Sequence, residues 1–122
     1  MSLVLVVDDD AVFREIVREM LIQDGHEVVS AEDGDAALRV VDELRPDLAV
    51  VDMLMPNRDG IETIGGLKRR WPGVKTIAVS AGSVRLEADS LLRAAKVLGA
   101  DATMEKPVQR SQFLDTVHRL LG

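Results

Sequence analysis

The chain has 122 residues, 47% apolar and 30% charged, and its 15 Lys+Arg against 21 Asp+Glu give a formal net charge of −6. That length suits one domain spanning residues 1–122, able to bury about two-thirds of its unfolded surface, and the lack of cysteine excludes a thiol nucleophile, a disulfide framework and an iron–sulfur centre. The acidic balance and the scarcity of aromatic rings argue against nucleic acid as a direct partner; the apolar runs fall far short of the roughly 18 residues a membrane span needs, and with no signal-peptide pattern a cytoplasmic location is expected.

Leu3 to Val7 is a β-branched apolar run too short for a helix, which stops at charge as a strand buried on both faces would. Phe13, Ile16, Val17, Met20 and Leu21 follow with helical spacing, with Asp9 or Asp10 as N-cap and Gly25 beyond the end. Glu27 to Ser30 reads as a second strand, and Ala37, Val40, Val41 and Leu44 as a helix that stops before Pro46. Leu48 to Val51 is a third strand, ending at Asp52 and followed by a loop from Met53 to Gly60. Ile61, Ile64 and Leu67 predict a third helix to Trp71, weakened by Gly65-Gly66. Val74 to Val79 is a fourth strand, Leu91, Ala94, Ala95 and Leu98 a fourth helix, Ala102 to Met104 a weak fifth strand, and Phe113, Val117, Leu120 and Leu121 a final helix.

Five strand–helix units predict an α/β fold: a five-stranded parallel sheet with helices on both faces. Right-handed crossovers then bring every strand's C-terminal end to one edge, where open α/β sheets bind ligands. Asp8 and Asp9, Asp52, Ser80 and Lys106 stand at four of those ends. Singly, each reads as an ordinary cap, turn or surface residue; jointly they form a constellation. Carboxylates brought to about 4 Å in a medium of effective dielectric about 20 repel by roughly 4 kcal/mol per pair, so the cleft needs positive charge. A hard divalent cation, Mg²⁺ above all, meets that need, and Lys106 supplies a fixed second charge.

A metal on carboxylates, a lysine and a hydroxyl make a clamp for a tetrahedral phosphoryl group. The chain has neither a GxxxxGK[ST] loop nor a GxGxxG turn, so it does not read as a nucleotide binder. The phosphoryl group should become attached to the protein as an acyl phosphate. Asp52, after a central strand, is the expected nucleophile, and the tandem Asp8-Asp9 suits the metal.

Val6-Val7-Asp8-Asp9-Asp10, Val51-Asp52-Met53-Leu54-Met55-Pro56-Asn57-Arg58-Asp59-Gly60, Val79-Ser80-Ala81 and Lys106-Pro107, in that order, closely resemble the receiver domain of two-component response regulators over nearly the whole chain. The resemblance implies the flavodoxin-like strand order 2-1-3-4-5. It implies that Asp52 accepts a phosphoryl group from a sensor histidine kinase or phosphotransfer protein, and that Asp8, Asp9, Asp52 and the Leu54 backbone carbonyl hold Mg²⁺. Ser80 would bond a phosphoryl oxygen and Lys106 would pair with the group; Lys106-Pro107 would be a cis peptide, and Gly60 would permit a backbone turn beyond the loop. In this reading the chain is no enzyme in its own right but a module that assists its own aspartyl phosphorylation and dephosphorylation.

Three positions depart from the family pattern. Thr103 stands where a switch aromatic is usual; the stretch from Ser80 to Lys106 is a few residues longer than is common, with the excess placed in Gly82 to Ser90; and Leu54 and Gly82 flank the phosphoryl site. With no output domain expected after Gly122, the module would act on an unidentified downstream protein, relay or drain phosphoryl groups, or be a piece excised from a longer chain, and it could pair with a second copy of itself. The alternatives are a degenerate receiver serving as a phosphate-independent scaffold and a Mg²⁺-dependent phosphohydrolase, the latter disfavoured because Leu54 replaces the acid two residues after the nucleophile. His26 and His118 read as too far apart to share a metal and as solvated surface residues, Met53, Met55 and Trp71 as packing residues, and Asp10 as an N-cap first.

Overall fold

Every position of Leu3-Val4-Leu5-Val6-Val7 can be apolar only if both faces of the strand are covered. A computed structural model, which describes residues 2–54, 59–81, 93–96 and 99–122, shows how. Its elements are β1 (Leu3–Val7), α1 (Ala11–Gln23), β2 (Glu27–Ala31), α2 (Gly34–Leu44), β3 (Leu48–Asp52), α3 (Gly60–Arg70), β4 (Lys75–Ala81), β5 (Ala102–Lys106) and α4 (Arg110–Leu121), with residues 93–96 also helical. The strands pair in parallel in the order β2-β1-β3-β4-β5, as expected. Met55, the segment from Gly82 to Ser90, Leu91 and Leu98 fall outside the described residues.

Side-chain alternation divides the core in two. Leu5, Val7, Ala49, Val51 and Ala78 meet α2 and α3 through Leu38, Val41, Ile64 and Leu67. Val4, Val6, Val50, Ile77, Val79 and Met104 meet α1 and α4 through Phe13, Val17, Leu21, Phe113 and Val117. Each fully buried aliphatic side chain here contributes about 1.5–3 kcal/mol of transfer free energy.

Local signals set the helix ends. Asp10, rather than Asp9, caps α1, its carboxylate accepting from the amides of Val12 and Phe13. Asp33 caps α2 and Asp59 caps α3 in the same way. The α1 stripe is narrower than its spacing suggests: Phe13, Val17 and Leu21, four apart, are buried, whereas Ile16 is 49% exposed at the stripe's edge. The later strands run past their apolar cores, so that Ser80 lies within β4, while Asp52 and Lys106 are the last residues of β3 and β5.

Gly60 serves close approach rather than a left-handed turn. It opens α3 with its amide on the Met53 carbonyl (3.2 Å), and a Cβ there would run into the Asp52 carbonyl and the Met53 side chain, lying 2.6 Å from Met53 Cα. Gly60→Ala is therefore expected to destabilise the protein by about 1–3 kcal/mol, read as a lower urea midpoint; an unchanged midpoint would mean that α3 can back away from β3 freely.

Candidate functional site

Register creates the site. Val7 is level with Val51, so the next residues, Asp8 and Asp52, emerge from adjacent strands about 4.8 Å apart. Asp52 is level with Val79, one residue before Ser80, and Ala81 is level with Lys106. Asp8 and Ser80 are fully buried and Asp52 nearly so. Ligand atoms of Asp8, Asp9 and Asp52 lie within 4.8 Å of one another.

Each acid is oriented by its neighbours. Asp8 accepts from the Asp10 amide at 2.9 Å through Oδ1, and its main-chain carbonyl accepts from Arg14 at 2.6 Å. Its Oδ2 faces the Lys106 ammonium at 2.7 Å; the same ammonium is 3.9 Å from Asp52 Oδ2. Lys106 Nζ also sits 4.3 Å from the centroid of the Phe13 ring, a cation–π contact. Phe13 thus has a role beyond the core residue that its helical spacing announces. The Leu54 amide reaches Asp52 Oδ1 at 3.4 Å, and Ser80 Oγ is buried with no hydrogen-bond partner among the described residues. The Lys106-Pro107 peptide is cis, as expected.

The electrostatics follow from this crowding. Burial first, then the charge of Asp8, push the Asp52 carboxyl up from 3.8 to about 7; Asp9 adds to the rise, and the opposing pull of Lys106 and of the Leu54 amide does not cancel it. Three carboxylates at hard-cation spacing, facing a single lysine, are a donor set that suits Mg²⁺.

Lys106 and the acids form one cluster, as the sequence predicts, with Ser80 on the adjoining strand. Met53 is fully buried, and Trp71 packs with its indole N–H on the Pro46 carbonyl (3.1 Å). Thr103 is half-buried within β5. The histidines are the correction. His26 and His118 both reach Asp24 Oδ2, at 3.0 and 2.6 Å, because α1 and α4 pack side by side on one sheet face and bring the residue that ends α1 against the last turn of α4. His26 is accordingly mostly buried, whereas His118 is exposed.

The sequence profile of the response regulator receiver domain matches residues 4–118. The chain belongs to that family. It is 35% identical to the transcriptional regulatory protein KdpE of Mycobacterium tuberculosis over 93% of its own length and 48% of that protein's, so it spans about half of that relative. It is 32% identical to the chemotaxis protein CheY of Bacillus subtilis, over 98% of this chain and 97% of that one. The crystal structure of the NtrX receiver domain from Brucella abortus superposes with a TM-score of 0.89 at 27% identity, covering 97% of both chains. This receiver domain is thus part of the two-component machinery, and no helix among its described residues is long and apolar enough to cross a membrane.

The raised Asp52 value has a consequence for stability. A carboxyl whose folded-state value lies above 3.8 destabilises the fold when ionised; the cost is absent well below pH 4, grows as the pH rises and is complete above about 7. At about 1.4 kcal/mol per pH unit this cost is at most on the order of 4 kcal/mol. In magnesium-free buffer at pH 8, Asp52→Asn should unfold several degrees above the wild type, with a gain that shrinks as the pH falls from 8 towards 4. An equal gain at pH 5 and pH 8 would contradict this origin.

Proposed function

We propose that this receiver domain accepts a phosphoryl group on Asp52 from a phosphohistidine of a sensor histidine kinase or phosphotransfer protein and so switches a protein-binding surface. The observation that carries the reading is the placement of the Lys106 ammonium, 2.7 Å from Asp8 and 3.9 Å from Asp52, amid three clustered carboxylates.

Asp8, Asp9, Asp52 and the Leu54 carbonyl would hold Mg²⁺, which when bound supplies positive charge against the equatorial phosphoryl oxygens. An Asp52 carboxylate oxygen attacks phosphorus; the new P–O bond forms as the P–N bond to the donor imidazole breaks, and the imidazole departs with its electron pair. Because burial favours protonated Asp52 and only the carboxylate is nucleophilic, positive charge beside it also raises the reactive fraction. Lys106 is within reach of the anion formed on Asp52. The buried Ser80 hydroxyl, free of partners among the described residues, has a hydrogen to give to a phosphoryl oxygen. Water attack on the acyl phosphate returns the carboxylate and inorganic phosphate. Phosphorylation adds roughly −1.5 to −2 charge, enough to draw Ser80 and Lys106 towards Asp52 and bias adjacent segments between two packings.

A surface beside the site supports docking of such a donor. A cleft of about 640 Å³ beside Lys106 is lined by Val12, Phe13, Ile16, Ala81 and Pro107 together with the acids Asp10 and Glu105, and Val12 and Ile16 are exposed apolar residues of α1. This suits a helix carrying a phosphohistidine to the mouth of the site. Leu54, half-exposed two residues after Asp52, offers no acid to protonate a leaving group, which favours a receiver over an aspartyl-nucleophile phosphohydrolase.

Incubation with acetyl phosphate and Mg²⁺ should add one phosphoryl group to the intact mass of the wild type and none to Asp52→Ala, and omission of Mg²⁺ should abolish the adduct. An adduct that persists in Asp52→Ala places the acceptor elsewhere; no adduct in the wild type favours a phosphate-independent scaffold, and steady turnover of unrelated phosphoesters favours a hydrolase.

A further inference from the structure

Away from the strand ends, the described residues hold a second group of metal-type donors. Asp24 closes α1, and Gly25, at φ 90°, turns the chain so that His26 returns to the same carboxylate; Gly is the residue that adopts this left-handed conformation without strain. His118 arrives from the last turn of α4. Asp24 Oδ2 lies 3.0 Å from His26 Nε2 and 2.6 Å from His118 Nε2, with the two rings 6.5 Å apart and tilted by 49°. Ligand atoms of all three residues fall within 4.8 Å of one another.

We propose that Asp24, His26 and His118 form a second cation site, for zinc, which clasps the α1–β2 turn to α4. Two imidazoles and a carboxylate are a borderline-soft set that favours zinc over magnesium, which prefers oxygen ligands alone. Tetrahedral zinc with bonds of about 2.0–2.1 Å requires donors about 3.3 Å apart. The Asp24 contact to His26 therefore needs to open by about 0.3 Å and that to His118 by about 0.7 Å, the larger of which rotation of the 57%-exposed His118 side chain can supply. The same exposure leaves a fourth position to water. A second observation agrees: Asp24 caps the C-terminus of α1 and His118 sits at the C-terminus of α4, so both helices offer the negative end of their dipoles to a cation. One feature opposes tight binding. Ligation through Nε2 puts the His26 proton on Nδ1, which is buried without a partner among the described residues. An exchangeable site, weaker than a structural one, is the consequence.

The test is calorimetric titration of magnesium-saturated protein with zinc chloride, followed by cobalt(II) as a spectroscopic probe. One zinc per chain is expected, unaffected by Asp52→Asn and weakened at least about tenfold by His118→Gln, which keeps a hydrogen-bonding group beside Asp24 but removes the imidazole. Cobalt should give visible d–d absorption of low-coordinate geometry in the wild type and lose it in His118→Gln. Circular dichroism should show that this exposed-site variant remains folded. Absence of zinc binding, affinity unchanged by His118→Gln, or loss of the site in Asp52→Asn would overturn the proposal.

Discussion

The site rests on a concentration of negative charge that the fold enforces and that one lysine only partly neutralises. Asp8 and Asp52 are buried at the ends of adjacent strands with Asp9 beside them, and the Lys106 ammonium pairs with the Asp8 charge at 2.7 Å while standing 3.9 Å from Asp52. Removing such charges from water is costly, and the carboxyl with the less complete partnership answers by moving up to about 7. The cluster is thus poised to take up further positive charge, and Asp52 in particular to gain ionisation from it.

The surrounding structure is arranged to hold this unfavourable group in place. Val7 and Val51 fix the register from which the two acids emerge, and both are fully buried against α2 and α3. Phe13, four residues before the buried Val17 of α1, provides the ring over which Lys106 lies, so the α1 face of the core and the site share a side chain. At Gly60 the start of α3 comes close enough to the Asp52 carbonyl that no side chain fits between them. Stability from two buried layers offsets strain at one edge, as is usual for functional sites.

Much of this was legible in the sequence because parallel sheets convert sequence order into spatial order. Apolar runs ending in Asp8, Asp52 and Ser80 identified strand ends, and crossover handedness put those ends on one edge. Apolarity marks where a strand is covered, not where its ladder stops, and so Ser80 lies inside β4 and Lys106 is the last residue of β5, in strands that composition would have ended earlier. Helical periodicity overstated the buried stripe of α1, since Ile16 fills an edge position beside the cleft. The Asp24–His26–His118 group was out of reach because its closest contact joins residues 94 apart in sequence and depends on how α1 and α4 lie side by side. Gly60 showed a requirement for glycine but not its cause: a turn and a close approach look alike in sequence.

Magnesium affinity is the most direct measure of the charge cluster, since it reports whether the buried acids and Lys106 compete for the same electrostatic space. Calorimetric titration should find binding weakened at least about tenfold by Asp8→Asn, which removes one of the clustered carboxylates, and strengthened by Lys106→Met, which removes the cation already paired with Asp8. Equal magnesium affinity in wild type, Asp8→Asn and Lys106→Met would contradict the view that these groups form one coupled site.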